Sequence, residues 1–284
     1  MEYLFVTLGL ILWGVKSNMF KVALDGKNTL NLTTLYFLAQ SLGMTLIGAF
    51  LTDGSIITVF NMPYFYVLLL MEFLSGIGMG ILFNRSNATF TIGIISAASM
   101  LASLYYSSFN IFIIILMIAA VGCLFFYFKK TNIRKMTFPD YILSILILFV
   151  PTLFHSIYIP TITKDFGNAM AIFGLARLIP FLILSFFKLK KQRLDIHAKT
   201  VLLSAAISVT GHLLIFYGFS ITQSNSILLF LLSFEALLTE IAAYCFGKNQ
   251  IKLNLGQKTP IQFVGILMFC VFAALSIVIL HSQA

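Results

Sequence analysis

Three acidic and two basic side chains of this sequence, Glu72, Glu235, Glu240, Lys16 and Arg177, fall inside long apolar runs. An ionisable group costs a few kcal/mol to place in hydrocarbon, so such groups face an interior cavity or pair with one another. The chemistry open to them is the binding of charged or hydrogen-bonding small molecules and the exchange of protons. Glu72 is followed by Gly76 and Gly80 at four-residue spacing, and small residues so spaced let helices approach closely, which turns that face into the protein. A carboxylate there could hold a cation or exchange a proton; the alternative is a carboxyl tied to a hydroxyl or to Lys16 for structure. Glu235 and Glu240 are five residues apart, about 140° around a helix, so they cannot both face one cavity squarely. Glu235, the deeper, is the better pathway residue; Glu72, Glu235 and Glu240 are all candidates for proton coupling.

Trp13 and Lys16 share one helix face, and an aromatic surface beside a charge suits a ligand with an ammonium group or a ring. Against this, Lys21 is near enough to the end of its run to snorkel, and Lys16 nearly so. Arg177 lies in mid-run with Pro180 breaking the backbone ladder just beyond. Its planar fork could bind a substrate carboxylate, or it could form a fixed ion pair with one of the glutamates. His155 and His212 join the substrate-binding candidates, although each is more commonly a hydrogen-bonded packing residue. Ser204, Ser208 and His212 form a polar stripe at four-residue spacing that suits a wetted wall, and Tyr36 and Gln40 form a similar pair.

The elements that must carry these residues follow from composition. Of the 284 residues, 60% are hydrophobic and 10% charged, and the mean hydropathy is +1.01; a soluble domain carries about 25% charged residues. Apolar character spread over nearly the whole length points to a lipid-embedded chain and leaves no room for a sizeable soluble domain. The net charge of +9 sits in short basic runs between apolar stretches, as topology signals and not as a nucleic-acid surface. Cys123, Cys245 and Cys270 have no metal-ligand spacing and read as small buried hydrophobes. The first residues run straight into apolar sequence without a basic region or a cleavage site, which predicts a retained first helix. Phosphate-loop, zinc-protease, deaminase and nucleophile-elbow motifs are absent, so ATP-driven transport and the common hydrolases find no support, and no cofactor is expected.

About 20 residues are needed to cross roughly 30 Å of hydrocarbon. Ten such spans can be drawn, at 3–23, 30–52, 63–83, 87–106, 110–128, 140–159, 169–187, 200–219, 225–246 and 261–280. They are too long and too little alternating for barrel strands, so the fold class is an all-α membrane protein. Fourteen of the eighteen Lys and Arg residues follow odd-numbered spans and only Lys164 follows an even one, which puts the odd connections in the cytoplasm and both termini outside. The halves resemble each other: Ser86-Asn87 matches Ser224-Asn225 at an offset of 138, and the stretch Tyr36 to Gln40 matches Phe173 to Arg177 at 137. Five is odd, so two five-helix copies, 1–135 and 136–284, would enter the membrane in opposite senses, with a substrate near the midplane between them.

Leu12-Trp13-Gly14 in the first span resembles the early Trp-Gly of the ten-helix drug/metabolite transporter superfamily, in its EamA-like branch. The stretch from Phe216-Tyr217-Gly218 through Ser233-Phe234-Glu235-Ala236 to Phe246-Gly247-Lys248, then Gln257 and Gly265, resembles that family's last three helices in spacing. The chain departs from the family at Ala98 and Ala236, where prolines are usual, and at Lys248, where an acidic residue is. The resemblance implies ten helices as two inverted five-helix repeats, alternating access, and amino acids, amines, other metabolites or drugs as substrates. It also implies cytoplasmic termini, opposite to the charge count.

The sequence therefore leads to a secondary transporter of a small polar or zwitterionic metabolite in an inner or plasma membrane, not an enzyme. Its partners would be the substrate and membrane lipids, without nucleic acid, and it would act as a monomer or homodimer. The substrate-binding set is Trp13, Lys16, Tyr36, Gln40, Glu72, His155, Arg177, His212 and Glu235. The reading from another class is a membrane enzyme or lipid-handling protein using interior carboxylates on a headgroup, although no catalytic constellation shows at a recognisable spacing.

Overall fold

The computed structural model describes residues 1–24, 29–52, 59–86, 88–106, 111–128, 138–188, 196–222 and 224–245, with the single positions 268, 269, 271, 272, 275 and 279. The helices are α1 (Glu2–Leu24), α2 (Thr29–Leu51), α3 (Pro63–Arg85), α4 (Ala88–Tyr106), α5 (Ile111–Phe128), α6 (Phe138–Ile162), α7 (Phe166–Lys188), α8 (Ile196–Ser220), α9 (Asn225–Leu232) and α10 (Glu235–Cys245). No strand occurs among the described residues.

Eight stretches there are long and apolar enough to cross a membrane: α1 to α4, α6 to α8, and α9 with α10 taken together. A helix satisfies all its backbone hydrogen bonds internally, which is what lets such sequences cross lipid. Their outward faces are apolar; Leu42, Leu46 and Phe50, for example, form an exposed stripe at four-residue spacing on α2. The chain is thus a multi-pass helical membrane protein. The expected span 261–280 lies mostly outside the described residues, and the positions described within it are helical.

One expectation changes and one is borne out. The run 225–246, drawn as one span, is interrupted at Ser233 and Phe234, whose amides donate to Phe230 O at 2.9 Å and Leu231 O at 3.0 Å. The Ser233 hydroxyl also donates back to Phe230 O at 2.6 Å, a local bond that competes with the helical ladder and bends it. The run 87–106, the most polar of the ten, becomes α4, with 72% of its apolar window buried inside the protein. Its Thr89, Thr91, Ser96, Ser99 and Ser103 all face other helices, which is why polar residues are tolerated there.

α1 packs along α8 and α2 along α7, the two most extensive pairings; α3 lies on α6 and α7, α2 also on α8, and α4 on α6, α9 and α10. Glycines permit two close crossings. A Cβ on Gly48 would run into the Ala171 backbone of α7, and one on Gly14 would meet the Leu238 carbonyl of α10 at 2.9 Å.

Of four clusters of buried apolar residues among the described residues, the two largest form layers. The larger, including Leu10, Met44, Phe65, Phe173, Phe216 and Leu228, lies in the helix halves away from the Lys/Arg-rich connections. The smaller, including Phe20, Tyr36, Phe37, Phe83 and Phe181, lies in the halves next to them. The buried charges Lys16, Glu72, Arg177 and Glu235 lie between.

Candidate functional site

Trp13, Gln40, Arg177 and Ser208 are the central residues of α1, α2, α7 and α8, and Glu235 is the central residue of the interrupted span 225–245. Helices rise uniformly along their axes, so central residues of packed, membrane-crossing helices meet at one depth. A cavity lies there, lined from α1 to α4 and α6 to α10. Eight of the nine expected substrate-binding residues line it: Trp13, Lys16, Tyr36, Gln40, His155, Arg177, His212 and Glu235. Glu72 stands just behind, bonded to two of them.

One wall is a closed network. The Glu72 carboxylate accepts from Arg177 Nε through one oxygen and pairs with His155 Nδ1 through the other. Arg177 Nη1 donates to Gln40 Oε1 at 3.2 Å and approaches His212 Nε2 at 3.4 Å. His212 Nδ1 lies 2.7 Å from the Ser208 carbonyl, so that nitrogen carries the proton and Nε2 offers its lone pair to Arg177. Gln40 Nε2 donates to Ser208 Oγ at 2.7 Å. A buried charge is tolerable only when paired and hydrogen-bonded, and Glu72 meets that condition on both oxygens. Arg177 is thus first an ion-pair partner, the second of the two roles open to it; its side chain also borders the cavity.

The opposite wall is looser. Lys16 Nζ lies 3.9 Å from Glu235 Oε1, outside hydrogen-bond distance, and 5.4 Å from the centre of the Trp13 ring. Glu235 Oε1 has no hydrogen-bond partner although the residue is only 2% exposed. Trp13 is fixed by its contact with the His212 ring, centres 4.6 Å apart, and by Nε1 donating to Ser208 O at 3.4 Å.

Other expectations separate here. Glu240 accepts from Thr89 Oγ1 at 2.6 Å, between α10 and α4, and does not line the cavity. Ser204 and Ser208 are not a wetted wall: both are fully buried, Ser204 donating to Lys16 O at 2.9 Å and Ser208 accepting from Gln40, so only His212 of that stripe reaches the cavity. Lys21 is buried rather than snorkelled. Residues the sequence reading passed over include Thr152, Ser156 and Ile159 on α6 and Ser99 on α4, with Ser99 Oγ and Ser156 Oγ 3.2 Å apart. Their signal was present, since Thr152, His155, Ser156 and Ile159 have the i, i+3, i+4, i+7 spacing of one helix face. Among the described residues no group of three His, Cys, Asp or Glu side chains converges as a metal site would require.

No protein-family model matches the chain, and no curated protein sequence does. A solved crystal structure, described only as that of a protein, aligns over 98% of this chain and 97% of its own with a TM-score of 0.65 at 11% identity. At that identity the likeness shows a common fold over the whole length and says nothing of activity.

Proposed function

We propose that the protein is a secondary transporter that moves a small polar or zwitterionic metabolite across a cell membrane by alternating access, with Glu235 as the group that exchanges a proton or cation. The observation that carries this is the cavity at mid-depth, bordered by opposite charges and flanked along the membrane normal by one apolar layer on each side. A site at mid-depth between two such layers suits exchange of its ligand as the layers part in turn, which is alternating access.

The reading includes ten spans as two inverted five-helix repeats, with the drug/metabolite transporter superfamily as the model. The helix pairings support it: exchanging α1 with α6, α2 with α7, α3 with α8, and α4 with α9 and α10 turns the set of main contacts into itself. Gln40 and Arg177, 137 residues apart and both central in their helices, would then be equivalent positions, and they are hydrogen-bonded to each other. The basic connections are placed in the cytoplasm and both termini outside, by the charge count.

A thermal-shift screen of the purified protein against amino acids, amines, nucleosides, sugars and cationic drugs tests the site, because a ligand that binds the folded state raises its stability. Selective stabilisation by a polar metabolite, followed by pH-gradient-driven uptake into liposomes that Glu235→Gln abolishes, is the expected result. A blank screen with folded protein would move lipid headgroups ahead of metabolites, and unchanged pH-driven uptake in the variant would remove Glu235 from coupling.

A further inference from the structure

We infer that the Lys16 ammonium is a tethered occupant of the substrate site, and that the site takes ligands bearing a primary ammonium group, which bind by displacing Lys16 from Glu235 and the Trp13 face. The inference deepens the reading of the cavity as a substrate site and rests on it.

The two acid-base pairs of the cavity differ in a way that assigns them different work. Glu72 has both oxygens engaged by Arg177 and His155 and lies off the cavity surface. Glu235 borders the cavity, has one oxygen without a hydrogen-bond partner, and meets its counter-ion only at 3.9 Å. Among the described residues Lys16 Nζ makes no hydrogen bond, and its other contact is with the Trp13 ring at 5.4 Å. A carboxylate and an indole face are the elements that recognise an alkylammonium, and here a lysine on a flexible four-carbon stem fills the place without completing a hydrogen bond.

A pair held so loosely is easily exchanged. A ligand ammonium small enough to enter can donate directly to Glu235, leaving Lys16 to swing along the wall. The displaced Lys16 ammonium stays in the cavity, so an entering cation adds one positive charge there, which the carboxylate of a zwitterionic ligand would offset. The Arg177 wall would meet the other end of a zwitterion, but the selection for an amine is made at Glu235.

Occupancy by Lys16 lowers the apparent affinity for any outside ammonium by the fraction of time the place is taken. The test uses n-butylammonium chloride, the shape of the lysine side chain, with sodium butyrate as control, and measures binding to purified protein by calorimetry. Lys16→Met keeps the stem and removes the competing charge, so n-butylammonium should bind about tenfold tighter than to the wild type, with butyrate unaffected. Lys16→Arg, whose fork can engage the carboxylate bidentately, should bind it more weakly than the wild type, and Glu235→Gln should not bind it. Unchanged or weaker amine binding in Lys16→Met, or wild-type binding in Glu235→Gln, would overturn the inference. If Lys16→Met does not fold, the ordering of wild type, Lys16→Arg and Glu235→Gln decides alone. These readouts are of binding, so failed transport with this pattern intact would count against the transporter reading and leave the site's selectivity standing.

Discussion

Glu72 and Glu235 carry the same group at similar depth and are held differently, and that difference decides what each can do. The carboxylate of Glu72 is shared between Arg177 and His155, so removing one partner leaves a buried charge uncompensated. Arg177→Gln should therefore destabilise the folded protein by about 3–5 kcal/mol. The double variant Glu72→Gln with Arg177→Gln should lose less than the sum of the two single changes, measured as a double-mutant cycle in detergent. Additive losses would mean the two side chains are not coupled. That the buried polar residues would converge was legible in the sequence, because few residues tolerate mid-membrane depth without a partner. Which partner each takes was not, since Arg177 could have met any of three glutamates and only the crossing of α3 with α7 selects Glu72. Single hydroxyls such as Thr152 escaped notice because they satisfy themselves locally, here by donating to Leu148 O at 2.7 Å, and so leave no imbalance to read.

The helices were legible from apolar length alone, but the interruption of 225–246 was not, because Ser233 and Phe234 look like any other pair in an apolar run. The break places Glu235 in the first turn of α10, beside the cavity. The crossing of α2 with α7 depends on the absence of a side chain at Gly48, so Gly48→Val should destabilise by about 1–3 kcal/mol or more through overpacking, seen as a lower melting temperature. The layer between the cavity and the basic connections has a second feature: Ser17, Thr33, Tyr36, Ser96 and Thr239 each have a buried side-chain oxygen without a hydrogen-bond partner. Ser17, Tyr36 and Thr239 lie four residues from the centres of their spans, about 6 Å toward the basic side. Such a line of hydroxyls suits a path that is wetted when that layer opens. In a background lacking the native cysteines, Ser17→Cys and Thr239→Cys should react with a charged thiol reagent applied from the side of the basic connections. Reaction from the other side only would contradict this.

Over the whole molecule, the pairing of α1 with α8, α2 with α7 and α3 with α6 brings the chain's two halves face to face, so the cavity belongs to neither half alone. Length, composition and the spacing of polar residues were enough to expect a bundle with a central polar site. The orientation was not settled that way, because the charge count and the family resemblance point in opposite directions, and accessibility mapping of each terminus in intact cells would separate them. The central claim is that the cavity ligand crosses the membrane through this protein, and counterflow measures that without assuming a driving force. Liposomes containing the protein are loaded with the amine or zwitterion that stabilises it most and diluted into a trace of the labelled compound. The account predicts a transient accumulation of label above equilibrium, absent with Glu235→Gln and in protein-free vesicles. A ligand that binds tightly yet gives no accumulation, with label entering no faster than into protein-free vesicles, would contradict it.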